Sequence, residues 1–546
     1  MSKVSYAAVA ATLITAGFAC AQSAAPAPQA TTTSAAEVSL SPDAQRWFAH
    51  VKYLASDDLK GRLIGTPEYN QAVQYVENQF KNLGLKPAGS NGYQQPVPYD
   101  QVEVDASRSS FSLSGEGKMA TLEIGSQVTL SPHADGDSSV RAEAVFAGYG
   151  LSIPTRHIDE ISGVNLKGKI AVILAGSPSS LRGPLKSYFR SQAQRWHALR
   201  QAGAIGVITI AEPIRTAATT PPQPHSNARP VYLIADKALD QLPDAQLSAT
   251  IVESAGSPLF AGSSHTLAEL EALSTAGKPL PEFPLAVTIA ATTAVKKVQH
   301  FEAANVIATL EGSDRKLKKE YVVVSAHLDH LGVGPPVEGD SIYNGAMDNA
   351  SGVASMIEIA RSIVNGTHPR RSVLFLVVSG EEEGLLGSKY FVHYPTVPRK
   401  QIVGDINMDM FLPLFPLEYL EVQGLGESTL GNDIRAVSQL NEIEVQFDKQ
   451  PDENRFVRSD QASFISCGIP ALAFKFGWVP DSPQQKTFND FVKNHYHHPS
   501  DDILHPIDKE AAAQFDHVVD DLTLRVANAS GRPQWYAESF FAHQGN

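Results

Sequence analysis

Histidine and carboxylate side chains recur at the ends of several predicted strands and helices in the second half of the chain. The groups are His327 with Asp329, Asp348, the glutamates at 381, 382 and 383, Asp409, and His497 beside His498. Imidazole nitrogens and carboxylate oxygens are ligands that zinc accepts. The set holds more acids than one ion needs, and two ions that share a bridging carboxylate would account for the surplus. These residues therefore predict a two-metal site.

Two apolar, β-branched runs predict the strands that position these groups. They cover residues 321–325 and 372–378, and such runs are typical of buried strands. Between them, apolar residues at helical spacing predict a helix over 349–364. Strand, helix and strand in succession indicate an α/β fold with a mixed, mainly parallel sheet flanked by helices. Sites in such sheets gather at the carboxyl ends of the strands, where the groups above fall.

Each of these groups, taken singly, also has an ordinary structural explanation. A His-x-Asp sequence is often a surface loop, a run of three glutamates is often a solvated stretch, and Asp348 could cap its helix. The joint hypothesis is favoured because all the groups fall where one sheet would bring them together.

Residues 111–297 have a different character and predict an inserted domain. Short strand-like runs at 144–147, 170–174 and 205–210 are separated by glycine, proline and serine. This stretch has no histidine or carboxylate cluster with metal-ligand spacing. We therefore assign the chemistry to a discontinuous domain over 41–110 and 298–530.

Residues 1–21 are predicted to be a signal peptide. Lys3 supplies a charged start, 7–18 form an apolar run too short to span a bilayer, and Ala19, Cys20 and Ala21 provide a cleavage site. Residues 22–40 are predicted to be a flexible linker. The protein is thus expected in the periplasm or outside the cell, with no transmembrane span. Lipid anchoring through Cys20 is the less favoured alternative, because the usual aliphatic residue three positions earlier is missing.

The composition is that of a globular protein and limits the classes of partner. A net charge of −14 argues against nucleic acid or an anionic membrane as the main partner. The sequence has neither a Gly-x-Ser-x-Gly nor a His-Glu-x-x-His motif, so serine hydrolase and zincin readings lack support.

Six blocks of the second half resemble the M28 metallopeptidases, a family of di-zinc aminopeptidases. The blocks lie at 325–329, 344–352, 380–388, 407–409, 458–460 and 496–501, in the family's order. The insertion is similar to a protease-associated (PA) domain at 147–150, 165–170 and 203–208. The resemblance implies a zinc exopeptidase-like α/β fold that carries a β-rich, PA-like α/β domain.

The same resemblance implies a role for each matched residue. The implied zinc ligands are His327, Asp348 as the bridge, Glu382, Asp409 and His497. His497, rather than His498, follows the tyrosine as the family's last ligand does.

Further implied roles belong to residues around the ligands. Glu381 resembles the general base, because the family's Glu-Glu-x-Gly pattern leaves Glu383 at the variable position. Asp329 is expected to orient the His327 ring with its carboxylate, and Tyr496 to donate a hydrogen bond in the transition state. Arg458 lies in a block that is near the substrate's amino end in relatives. One departure is Gln461, where many relatives have histidine.

The expected function is therefore hydrolysis of the first peptide bond of peptides with a free N-terminus, with two zinc ions per chain. Two alternatives share the fold: a one-zinc glutaminyl cyclase and a receptor-like module without catalysis. The zinc content would separate these three, at two, one or no ions per chain. The oligomeric state is left open.

Overall fold

The structure is a computed structural model, and it describes residues 40–115, 117–133, 136–181, 183–212, 230–453 and 455–543. The predicted signal peptide and nearly all of the predicted linker lie outside these residues. None of the helices in the described part of the chain combines the length and apolar character needed to cross a membrane.

The described residues form helices and strands in alternating groups. The α-helices are α1 Pro42–Leu54, α2 Pro67–Asn82, α3 Gly183–Arg190, α4 Gln192–Gln201, α5 Leu267–Thr275, α6 Ser351–Asn365, α7 Leu386–His393, α8 Leu430–Leu440, α9 Gln461–Ser466, α10 Pro483–Asn494 and α11 Lys509–Asn528. The strands of the first half are β1 Lys86–Pro87, β2 Gln94–Val104, β3 Ser110–Gly115, β4 Lys118–Thr121, β5 Val128–Leu130, β6 Ser138–Ala147, β7 Ser152–Ile153, β8 Ile158–Asp159, β9 Ile170–Leu174, β10 Gly206–Ile210, β11 Val231–Ile234 and β12 Leu247–Ile251. The remaining strands are β13 Glu282–Thr293, β14 Val295–Leu310, β15 Tyr321–His327, β16 Gly332–Val337, β17 Asp340–Tyr343, β18 Ser372–Val378, β19 Ile402–Asn407, β20 Tyr419–Gln423, β21 Glu444–Gln446 and β22 Ala471–Phe476.

The larger sheet has ten strands, in the order β11-β2-β14-β18-β15-β19-β22-β20-β21, with β1 paired to β14. At its centre β15 runs parallel to β18 on one side and to β19 on the other, and β19 runs parallel to β22. Strands β2 and β14 add to this centre in antiparallel fashion. The predicted mixed α/β sheet flanked by helices is confirmed. Three parallel pairings lie at its centre and a fourth joins β20 to β21 at the edge, whereas the other five pairings are antiparallel, so parallel pairings do not predominate as expected.

Helix α6 buries the apolar face that its sequence predicts. Val353, Met356, Ile357, Ala360 and Ile363 are all buried in the core of the larger sheet. A π-helical turn at Ala346–Ala350 precedes the helix and carries Asp348. The predicted helix is thus confirmed, with a start two residues later than expected.

The smaller sheet has eight strands, in the order β4-β3-β13-β6-β9-β10-β12-β5. Strands β6, β9, β10 and β12 run parallel and enclose a separate apolar core with Phe146, Val172 and Ile208. One strand of the predicted insertion departs from this arrangement: β11 pairs with β2 at the edge of the larger sheet. The boundaries of the insertion stay a prediction, and any division must account for β11.

An aromatic cluster joins α3 to the C-terminal end of the described chain. The ring centroids of Tyr188 and Phe540 lie 5.2 Å apart, and those of Phe541 and Phe456 lie 5.4 Å apart. Phe456 belongs to a short 3-10 turn, Arg455–Val457, that borders the cleft described below.

Candidate metal centre

The parallel strands of the larger sheet deliver three of the predicted groups to one edge. Strand β15 ends at His327, Glu381 and Glu382 follow the end of β18, and Asp409 follows the end of β19. Because β18, β15 and β19 are adjacent and parallel, their carboxyl ends meet at the same edge.

Two clusters of possible ligand atoms meet at Asp348. In the first, His327 Nε2 lies 3.3 Å from Asp348 Oδ1 and 3.4 Å from Asp409 Oδ1. In the second, His497 Nε2 lies 3.2 Å from Asp348 Oδ2 and 3.1 Å from Glu382 Oε2. The two oxygens of Asp348 therefore face different clusters.

These separations fit the ligand spacing that zinc requires. Two ligand atoms that each lie about 2.0–2.1 Å from a tetrahedral zinc are about 3.3–3.4 Å from one another. The four contacts in the two clusters span 3.1 to 3.4 Å. The donor atoms, imidazole nitrogen and carboxylate oxygen, are also of the type that zinc binds.

The charged groups of the cluster stabilise one another. Burial opposes ionisation, but hydrogen bonds with His327 and His497 hold the pKa of Asp348 well below its usual range. Burial also works against charge on His497, yet Glu382 and Asp348 raise its pKa to about 11. A metal ion must displace protons from such imidazoles, so metal binding here is coupled to proton release.

Glu381 differs from the neighbouring carboxylates. Burial raises its pKa well above the usual range, and the nearby carboxylates of Asp409 and Glu382 raise it further while His327 opposes them. Glu381 also lines the cleft that opens beside the cluster. A raised pKa makes a carboxylate a stronger proton acceptor than an ordinary one, as general-base catalysis requires.

Asp329 acts in a way that differs from the sequence-based expectation. The contact to the His327 ring comes from the backbone carbonyl of Asp329, 3.1 Å from Nδ1, and not from its carboxylate. The Asp329 carboxylate instead accepts hydrogen bonds from the backbone N–H groups of Glu381 and Glu382, each at 3.2 Å. The reason is geometric: after β15 the main chain passes the ring, and the side chain reaches across to the loop that follows β18.

A cleft of about 100 Å³ adjoins the cluster. Asp348, Glu381 and Asp409 line it, as do the apolar side chains of Met410, Phe488 and Val492. The predicted residues Tyr496 and Arg458 both line it.

Two residues that the sequence placed beside the site have supporting contacts. Gln461 donates from Nε2 to the carbonyl of Arg455 at 2.9 Å and accepts from Asn407 Nδ2 at 2.7 Å, so it ties the end of β19 to a cleft-lining turn. His498 lies with its Nδ1 2.9 Å from the Tyr496 carbonyl, whereas His497 reaches the ligand cluster.

Four residues near the site had no role assigned from the sequence. The carboxylate of Asp501 accepts from the N–H groups of Met347 and Asp348, which fixes the turn that carries the shared carboxylate. Arg62 is buried and donates to the backbone carbonyl of Leu328, just after β15, and to those of Asn344 and Gly345, just before that turn. Lys475 lines the cleft, and burial lowers its pKa to about 8. His330 contacts Glu382. Of these four residues, only Asp501 lies in a block that matches the family, so only its importance could have been inferred from the sequence.

The fold and the site together define an α/β protein with a candidate metal centre at the carboxyl ends of its central strands. Residues 305–523 match Peptidase family M28. This part of the chain is therefore an M28 peptidase domain, as the resemblance predicted. The similarity of the insertion to a PA domain stays a prediction.

Several known proteins are similar to this chain over limited segments. Leupeptin-inactivating enzyme 1 of Streptomyces exfoliatus is 30% identical over 169 residues, which are 30% of this chain and 34% of that protein. The probable lipoprotein aminopeptidase LpqL of Mycobacterium tuberculosis is 36% identical over 129 residues, 23% of this chain and 22% of that protein. A probable zinc metalloprotease of Pyrenophora teres is 34% identical over 106 residues, 19% of this chain and 22% of that protein. The matches thus span about a fifth to a third of these relatives.

Solved structures resemble the chain over most of its length at low identity. The aminopeptidase from Aneurinibacillus sp. strain AM-1 is 22% identical, with a TM-score of 0.49, over 90% of this chain and 95% of that one. The zinc aminopeptidase BSAP from Bacillus subtilis is 19% identical, with a TM-score of 0.45, over 89% of this chain and 95% of that one.

Proposed function

We propose that this protein is an aminopeptidase that uses two zinc ions to hydrolyse the N-terminal peptide bond of peptides. The observation that carries the proposal is the position of Asp348. Its two carboxylate oxygens face two separate clusters, each with one histidine and one further carboxylate. A bridging carboxylate of this kind suits two ions better than one.

Five residues would hold the ions. His327 and Asp409 would serve one zinc, Glu382 and His497 the other, and Asp348 both. When bound, zinc supplies Lewis acidity, which activates a water molecule and polarises the scissile carbonyl.

The remaining chemistry belongs to residues that line the cleft. Glu381, with its raised pKa, takes a proton from the attacking water and delivers it to the leaving amine. The Tyr496 hydroxyl donates a hydrogen bond to the oxygen that becomes negative in the transition state. Burial raises the pKa of Tyr496 well above its usual range, so the hydroxyl keeps the proton that it must donate.

The preference for a free N-terminus rests on the relatives. The similar protein LpqL is named a probable lipoprotein aminopeptidase. Arg458, which lines the cleft, would contact the substrate near its amino end.

The alternatives make different use of the same residues. A one-zinc glutaminyl cyclase would leave His327 or Asp409 without a metal, although His327 contacts both Asp348 and Asp409. A receptor-like module would not need a complete set of ligands and a base.

Zinc content and substrate blocking test the proposal together. We expect the purified protein to bind two zinc ions per chain and to cleave aminoacyl p-nitroanilides, with no cleavage of the N-acetylated forms. Chelation should abolish the activity, and added zinc should restore it. A maximum of one ion after zinc supplementation, or equal cleavage of free and acetylated substrates, would contradict it.

A further inference from the structure

His330 is a buried histidine whose polar contacts run to the candidate ligands. Its side chain is fully buried three residues after the end of β15, and its Nδ1 lies 2.7 Å from Glu382 Oε1. The other oxygen of Glu382, Oε2, lies 3.1 Å from His497 Nε2. The two oxygens of the Glu382 carboxylate thus have different partners: Oε1 contacts His330, and Oε2 contacts His497 in the ligand cluster.

The distances separate two possible roles for His330. Two ligands of one tetrahedral zinc lie about 3.3–3.4 Å apart. The 2.7 Å contact of His330 with Glu382 is shorter than that, and its 3.9 Å separation from Asp348 Oδ2 is longer. The short contact has the length of a charge-assisted hydrogen bond. An ionised carboxylate can only accept, so the proton of this bond lies on His330 Nδ1.

The surroundings hold the His330 ring in one place. Gly345 has a φ of +60°, and a Cβ atom there would lie 2.6 Å from the Cδ2 of His330. Glycine therefore allows the backbone to pack directly against the ring. Arg62 in turn donates to the carbonyl of Gly345 at 3.1 Å, which fixes this backbone.

The cost of burying the ring also indicates a function. His330 Nε2 is buried, and none of the described residues forms a hydrogen bond with it. An unpaired buried nitrogen lowers stability, so the fold itself gains little from a histidine here. The short polar contact of the ring is the one with Glu382.

We propose that His330 is a positioning residue for the zinc ion that Asp348, Glu382 and His497 would hold. Its Nδ1–H group donates to Glu382 Oε1, which would leave Oε2 available to hold the metal. Such a hydrogen bond fixes the orientation of a carboxylate ligand, and its loss typically weakens metal binding. This inference rests on the proposed two-zinc function.

Two substitutions of His330 and one control test the role through zinc affinity, without an activity assay. His330→Leu removes the donor, whereas His330→Asn retains an amide N–H that can reach Glu382. His50→Leu is the matched control, because His50 is also buried against a carboxylate, with Nε2 3.1 Å from Glu358 Oε1, and is not a candidate ligand. Zinc affinity at each site is measured by competition with a chromogenic chelator, after circular dichroism has established folding.

We expect His330→Leu to bind one of its two zinc ions about 10- to 100-fold more weakly than the wild type. His330→Asn should recover most of the affinity, and His50→Leu should bind both ions normally. Normal binding of both ions by His330→Leu would overturn the inference alone. Complete loss of one ion in both His330→Leu and His330→Asn would also overturn it, because His330 would then be a ligand. If His330→Leu does not fold, the zinc affinity of His330→Asn is compared with that of the wild type instead. A loss of affinity in His330→Asn as large as that in His497→Ala would refute the positioning role. A wild-type protein without zinc binding would overturn the proposed function together with this inference.

Discussion

The two sheets of this protein both have parallel centres, yet only one of them carries a candidate metal centre. In the larger sheet the central strands end at His327 or lead into Glu381, Glu382 and Asp409. In the smaller sheet β9, β10 and β12 end in Leu174, Ile210 and Ile251. Within the described residues, side-chain groups that could hold a metal ion occur at the larger sheet alone. Parallel strands provide an edge for a site, and the residues that follow them decide whether chemistry takes place there.

The two sheets also differ in the partners of the charged side chains that are buried against them. In the smaller sheet Arg195 donates to the carbonyls of Leu174 and Phe189, and Glu160 accepts from the N–H groups of Tyr149 and Leu151. Burial raises the pKa of Glu160 to about 7. These charged side chains form their hydrogen bonds with backbone groups. At the edge of the larger sheet, buried carboxylates instead contact the His327 and His497 rings beside a cleft.

The largest effect is expected from Asp348→Asn, which keeps the shape of the bridge and removes its charge. Both clusters use Asp348, so zinc affinity should fall at both sites by more than about a hundredfold, beyond the loss typical of an outer-shell change. Activity should be abolished. Elemental analysis after gel filtration measures the bound zinc, and retention of one tightly bound ion would show that Asp348 is not shared.

Glu381→Gln should separate metal binding from turnover. The amide cannot take a proton from water, so turnover should fall by about a hundredfold or more, while both zinc ions stay bound. Glu383→Gln, at the variable position two residues later, is the control and should have a mild effect. A severe defect in Glu383→Gln alone would mean that the register of the three glutamates is wrong.

His497→Ala should have a narrower effect than Asp348→Asn, because His497 contacts one cluster. One zinc ion should bind more weakly, and the other should remain. His498→Ala is the adjacent control, since His498 contacts the Tyr496 carbonyl, and it should retain both ions. If the two variants exchanged these outcomes, the ligand would have to be moved by one position.

Arg195→Met should leave the metal centre unchanged and so sharpen the contrast between the two sheets. It removes donors from buried carbonyls at the end of β9, which typically costs about 1–3 kcal/mol of stability. We expect a lower thermal midpoint by calorimetry, two zinc ions per chain and turnover close to the wild type. A loss of zinc in a folded Arg195→Met protein would link the smaller sheet to the chemistry.

The smaller sheet is also not separable from the larger one by a simple cut. Strand β11 lies in the predicted insertion but pairs with β2, and α3 reaches the cleft-bordering turn through Tyr188, Phe541 and Phe456. Removal of the whole insertion would take away an edge strand as well as an appended domain. We also expect the insertion to shape access to the site, and point substitutions in the aromatic cluster test this expectation better than a deletion does.

The sequence by itself determined the kinds of residue at the site and the elements that carry them. The β-branched runs at β15 and β18 and the apolar face of α6 are local patterns, because strand and helix periodicity depends on neighbouring residues. The sequence also predicted the M28 domain at 305–523, since the motifs of the family follow one another along the chain in the expected order.

Only the tertiary structure decided which groups touch. The carboxylate of Asp329 binds the amides of Glu381 and Glu382, Asp501 supports the turn around Asp348, and His330 meets Glu382. These pairs are separated by about fifty to more than a hundred residues. Local periodicity says which face a residue occupies, but the partner across such a separation depends on strand order, on loop paths and on close packing such as that of His330 against Gly345.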